Sequence, residues 1–159
     1  MVHVVNPPEI YKFSKNISIF LAGSIEMGKA EDWQKKVIDS LEFYNLTVYN
    51  PRRNDWNSDW EQKIYDKNFK EQVEWELNHI EKSNYVVFYF QKDTISPITL
   101  LELGICAEKK PEKTIVCCPE GYFRKGNVDI VCEKYNIPVL NTLDELIKKV
   151  QNISVNNVL

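Results

Sequence analysis

The sequence predicts a doubly wound α/β fold with a sheet of about five mainly parallel strands, and two observations predict it. Short apolar runs alternate with stretches of helical length and periodicity along the chain. The run Tyr85-Val86-Val87-Phe88-Tyr89-Phe90 is apolar without interruption, the pattern of a central strand covered on both faces. In chain order, Ile17–Ala22 is the first strand and Glu31–Phe43 the helix after it. Thr47–Tyr49 is a short second strand, followed by a polar connection and the helix Phe69–Glu81. Tyr85–Phe90 leads into the helix Ile98–Glu108, with Pro97 suited to a first helical turn. Thr114–Cys118 and the helix Asn127–Tyr135 form the fourth pair. Pro138–Leu140 and Leu143–Val150 form the fifth, whose helix opens on the capping-box spacing Thr142 to Glu145.

At 159 residues with ordinary apolar and charged fractions, the chain is long enough for one domain with a core that needs neither metal nor disulfide. Residues 1–15 read as an N-terminal extension, 16–150 as the domain and 151–159 as a tail that frays or docks on a neighbouring subunit. The net charge of −3 comes from well-mixed signs without a Lys/Arg stripe, which argues against a nucleic acid polymer or a membrane surface as partner. No run approaches the roughly 18 apolar residues that span a bilayer, and Met1–Tyr11 lacks signal-peptide character, so a cytoplasmic location is expected. Cys106, Cys117, Cys118 and Cys132 lack CxxC spacing and read as reduced core thiols. With only His3 and His79 available, no metal and no cofactor are expected.

The segment Ser96-Pro97-Ile98-Thr99-Leu100-Leu101-Glu102-Leu103-Gly104 places one carboxylate, Glu102, among apolar residues just after a strand. An ionised carboxylate there is expensive unless paired or hydrogen-bonded, which leaves catalysis or a structural salt bridge as its reason. Gly104 would allow close backbone approach. In parallel sheets ligands collect outside the carboxyl ends of the strands, and three strand-to-helix loops carry suitable chemistry. Ala22–Lys29 supplies Gly23, Ser24 and Lys29, either as a cradle for a sugar hydroxyl or phosphate or as a tight turn. Gln91–Pro97 supplies Ser96, either as a helix cap or as a hydroxyl that touches ligand. Pro119–Gly126 places Arg124 and Lys125 immediately before Asn127, where basic residues bind an anion or are simply solvated. The connection Asn50–Lys67 exceeds the usual loop length of about 12–15 residues and carries Arg52, Arg53, Asp55, Trp56 and Trp60. Trp56, Trp60 and Trp75 are candidates for stacking on a base or for core. A second carboxylate could come from Glu71, Glu74, Glu76 or Glu81, and spacing alone does not choose among them.

Gly23-Ser24-Ile25, Glu76-Leu77-Asn78-His79-Ile80 and Glu102-Leu103-Gly104 resemble the nucleoside 2-deoxyribosyltransferase superfamily over roughly residues 16–130. The likeness is closest to the branch called nucleoside 2-deoxyribosyltransferase-like, through Asn50–Trp56, Gln72–Glu76, Ser96–Gly104 and Arg124–Cys132. The resemblance implies a flavodoxin-like subunit in a homo-oligomer of two or more chains, acting on a small deoxynucleoside or deoxynucleotide and a free nucleobase. It implies that Glu102 is the nucleophile at C1′ and that Glu76, at a position where the family carries aspartate, protonates the departing base. On that reading the Glu76 pKa is raised and Glu102 stays ionised. Ser96 stands where the transferases carry an aspartate for the sugar 5′-hydroxyl; the related 2′-deoxynucleoside 5′-phosphate N-hydrolases use a serine for the phosphate. Gly23, Ser24, Lys29, Trp56, Ser96, Pro97, Arg124 and Asn127 are the expected substrate contacts. Sugar transfer between bases is the leading expectation, hydrolysis of a deoxynucleoside monophosphate the alternative, and a non-catalytic nucleotide-binding module the third.

Overall fold

The computed structural model describes residues 1–10, 16–25, 30–53 and 55–156. In chain order these form β1 (His3–Val5), β2 (Ser18–Gly23), α1 (Trp33–Ser40), β3 (Thr47–Tyr49), α2 (Lys67–Lys82), β4 (Tyr85–Tyr89), α3 (Pro97–Lys109), β5 (Thr114–Cys117), α4 (Lys125–Lys134), β6 (Val139–Leu140) and α5 (Leu143–Asn156). The sheet order is β1-β3-β2-β4-β5-β6, and every neighbouring pair is parallel. Without β1 this is the doubly wound, flavodoxin-like order.

Side-chain alternation along the strands divides the core into two layers. Phe20, Val86, Phe88 and Val116 face α2, α3 and α4, through Trp75, Leu103, Cys106 and Val128. Ile19, Leu21, Val87 and Ile115 face the opposite layer, where Trp33 and Val37 of α1 and Leu41 at its end meet Leu146 and Val150 of α5. Strands buried on both faces carry no polar alternation, which is why the β4 run was legible as central.

Among the described residues the sheet has six strands rather than the expected five. The addition is β1, from the 1–15 extension, which lies parallel to β3 with His3 opposite Thr47 and Val5 opposite Tyr49. Three residues followed by Pro7 and Pro8 are too short to announce a strand; tertiary pairing makes it one. Its exit is held by Asn6, whose Nδ2 donates to the carbonyls of Asn50 and Arg52. At the other end, α5 continues through Asn156, six residues beyond the Val150 at which the sequence ended the helix. The Thr142 hydroxyl accepts from Glu145 N at 3.2 Å, and the Glu145 carboxylate returns to Asn141 N at 2.8 Å, much as the capping box predicts. The four cysteines are buried free thiols.

The chain leaves β2 for β3 on one side and later inserts β4 on the other. The carboxyl ends of β2 and β4 therefore flank the point where the winding reverses, where an open α/β sheet leaves a crevice. Gly23 ends β2 opposite Tyr89. A Cβ there would lie 2.5 Å from the Tyr89 carbonyl oxygen and 2.6 Å from the Trp33 ring, so close packing alone requires glycine at this position.

Candidate active site

Two loops meet at the reversal point through three hydroxyls. Ser24 follows β2; Thr94 and Ser96 follow β4. Ser24 Oγ lies 2.8 Å from Thr94 Oγ1 and 2.6 Å from Ser96 Oγ, and the latter two are 3.0 Å apart. Ser24 Oγ also accepts from Gln91 N at 3.0 Å, and Thr94 donates to the Gln91 carbonyl at 2.8 Å. Trp33 Nε1 donates to the Ser24 carbonyl. All three hydroxyl residues are buried.

Ser96 stands at the N-cap position of α3, yet its hydroxyl makes no cap bond. Its backbone lies in the left-handed region, φ 47° and ψ 54°, which turns the side chain toward Ser24 and Thr94 instead. A non-glycine residue held there is strained by about 1–3 kcal/mol, a feature that clusters at ligand-handling sites. The capping reading of Ser96 is thereby corrected. Pro97 occupies the first position of α3, exposed, where its missing N–H costs nothing.

One and a half turns further on, α3 turns Thr99, Glu102, Leu103 and Cys106 inward. Glu102 is only 7% exposed. Burial pushes its carboxyl well above the ordinary range, and the charge of Glu76 pushes it further. Glu76, on α2, is half-buried, and burial raises it to about 7 against the opposing effect of the Gln72 amide, which donates to its Oε1 at 2.7 Å. Of the four acidic candidates, Glu76 is the one whose charge acts on Glu102. The structure differs from the implied ionisation: Glu102 is displaced upward as well as Glu76. The reason is burial, reinforced at Glu102 by the Glu76 charge; Gln72 offsets part of it at Glu76, and no comparable donor lowers Glu102 among the described residues.

The other expected contacts are dispersed. Arg124 precedes α4, exposed, with its guanidinium 4.6 Å from the centre of the Phe123 ring, and Asn127 is exposed in the first turn of that helix. Their loop packs against the one bearing Ser96, through Tyr122, which donates to the Ile95 carbonyl at 2.7 Å. Trp56 lies in the β3–α2 connection with its ring 5.1 Å from that of Trp60, and its buried indole N–H has no acceptor among the described residues. Trp75 belongs to the core, where it packs on His79 and donates to the Glu9 carbonyl. Lys29 lies outside the described residues. Gly104 permits no close approach within the subunit, since a Cβ there would meet nothing within 4 Å.

Sequence reasoning missed Thr94 and the role of Gln72. The i,i+4 spacing of Gln72 and Glu76 on one helix was the available signal for the second. Among the described residues no group of three or more His, Cys, Asp or Glu side chains could hold a metal ion, and no helix is long and apolar enough to cross a membrane. A groove of about 450 Å³ runs along α2, lined by residues including Pro8, Lys67, Glu71 and Lys82, but it includes neither Glu76 nor Glu102.

The family model described as nucleoside 2-deoxyribosyltransferase like matches residues 16–122. A crystal structure of a conserved protein from Enterococcus faecalis V583 is similar in fold, with a TM-score of 0.59 at 14% identity, covering 86% of this chain and 98% of that one. None of the curated proteins matches the chain.

Proposed function

The chain belongs to the nucleoside 2-deoxyribosyltransferase-like family, and from that membership we propose that it cleaves the N-glycosidic bond of a 2′-deoxynucleoside and passes the sugar to another base. One observation carries the reading: the carboxyls of Glu102 and Glu76, from separate helices on one face of the sheet, are buried within each other's field. Two such groups divide the labour of glycosidic chemistry, one as nucleophile and one as acid. Near neutrality the pair holds a proton that water would otherwise take. Sugar hydroxyls arriving beside Glu102 donate to it, favour its anion and leave the proton on Glu76.

In the first step a Glu102 oxygen bonds to C1′ while the C1′–N bond breaks. Its electron pair goes to the base nitrogen, which takes the proton from Glu76. In the second step the nitrogen of an incoming base attacks C1′, returns its proton to Glu76 and frees Glu102, with retention through two inversions. Water in place of the base gives hydrolysis.

A second reading has its own observation. Ser96, with its hydroxyl joined to Ser24 and Thr94 at the head of α3, sets uncharged donors beside a helix N-terminus, an environment that favours a phosphate over a free hydroxyl. That supports hydrolysis of a deoxynucleoside 5′-monophosphate. Base release from a panel of deoxynucleosides and their monophosphates, with and without a free acceptor base, tests both. New nucleoside formed with the acceptor supports transfer, free base from monophosphates alone supports the hydrolase, and full activity in Glu102→Ala removes both.

A further inference from the structure

The long polar connection before α2 has no part in the chemistry above, but it grips a residue that does. Gln72 is 4% exposed, and its amide makes three contacts. Its Oε1 accepts from Arg53 Nη1 at 3.3 Å; its Nε2 donates to the Pro51 carbonyl at 3.2 Å and to Glu76 Oε1 at 2.7 Å. Two of these partners have a single possible role. A guanidinium only donates and a peptide carbonyl only accepts, so the amide cannot turn over without facing donor to donor and acceptor to acceptor. An N–H fixed against Glu76 Oε1 favours the proton on Oε2, because the carbonyl oxygen of a carboxylic acid is the better acceptor.

We infer that Arg53 and Gln72 are positioning residues that confine the proton of Glu76 to Oε2, with Oε1 held permanently as an acceptor. Arg53 is itself held. Its Nε and Nη2 each donate to an oxygen of Asp55 at 2.9 Å, its guanidinium lies 4.9 Å from the centre of the Trp60 ring, and its side chain is 6% exposed. The crowded Arg53-Asp55-Trp60 segment thus acts on Glu76 through Gln72. Delivery of a proton to a departing base requires it on a known oxygen at a known angle, and the relay supplies that.

The inference rests on the proposed role of Glu76 only for its consequence in catalysis; the hold of Gln72 and Arg53 on the Glu76 proton is testable without turnover. The charged groups around Glu76 are Glu102 from α3 and, through Gln72, Arg53 with its partners Asp55 and Glu71. A Glu102→Gln background removes the first of these. In protein labelled with ¹³C at glutamate carboxyls, the Glu76 resonance is assigned by its loss in Glu76→Gln and followed against pH. Gln72→Met keeps the length but deletes the donor, and the Glu76 midpoint is expected to rise by about one pH unit. Arg53→Met frees the amide to turn over and is expected to move the midpoint in the same direction by less, with Arg53→Lys restoring it. A midpoint unmoved or lowered in Gln72→Met overturns the inference; if that variant does not fold, an Arg53→Met midpoint indistinguishable from Arg53→Lys overturns it. Full turnover by Glu102→Ala would remove the glycosidic reading and leave the titration result standing.

Discussion

Glu102 shows what one residue contributes at the expense of the fold. Its folded carboxyl titrates above its unfolded value, so the folded protein binds this proton more tightly than the unfolded chain. The resulting stability is fully present below about pH 4.5 and is lost as pH rises toward the folded value, because above the unfolded pKa the native state must bury a charge. Glu76 acts in the same direction up to about pH 7. The melting temperature should therefore fall between pH 5 and pH 8, and Glu102→Gln should flatten that slope, melting roughly 2–6 °C above the wild type at pH 8. Calorimetry across that range checks it; a Glu102→Gln curve parallel to wild type would contradict the assignment. The same substitution should lower kcat at least about a thousandfold, since a neutral amide cannot form the ester. Glu76→Gln should lose about 10²–10⁴-fold, together with the decline in rate expected of the wild type as pH rises through about 7 and the acid loses its proton.

At the scale of elements, the charge of Glu76 reaches Glu102 only if α2 and α3 keep their relative placement, and one side chain joins their ends. Lys110, just after α3, donates through Nζ to the carbonyls of Ile80 at 2.9 Å, Glu81 at 3.1 Å and Ser83 at 2.8 Å, closing the last turn of α2. A cation on carbonyls at a helix C-terminus satisfies orphan acceptors and complements the dipole. Lys110→Met should cost about 2 kcal/mol and lower the melting temperature by roughly 4–8 °C. A loss below about 0.5 kcal/mol would mean that water replaces the ammonium freely. Elements of this kind divide by how their information is carried. The runs at β2, β4 and β5 and the periodic stretches of α2 and α3 declare themselves because burial dictates composition locally, and Glu102 stood out against such a background. β1 did not, because three residues become a strand only when β3 lies beside them. Nor did the left-handed turn at Ser96 or the grip of Arg53 on Gln72, which depend on partners 19 to 72 residues away in sequence.

For the whole molecule, the sheet order creates a crevice at the reversal point, and the helix that carries Glu102 is apolar on its outer side as well. Ile98 and Leu101 are 58% and 63% exposed on α3, and Ile95 just before it is 59% exposed. A helix apolar all round belongs in an interior, and a cluster of this kind marks an interaction surface. We propose that a second copy of the chain covers it, so that the protein works as a homo-oligomer. Gly104 separates this from the alternative by sign. On an isolated subunit Gly104→Ala fills open space within a helix and should stabilise by about 0.5–1 kcal/mol. If a neighbouring helix packs against that glycine, the added methyl weakens the assembly instead. Light scattering on the wild type, Gly104→Ala and Leu101→Arg decides: the expected result is an oligomer that Leu101→Arg reduces to monomer with loss of base release. A wild type that is monomeric at micromolar concentration, with Gly104→Ala melting higher, would leave the outer face of α3 uncovered and place the whole site within one chain.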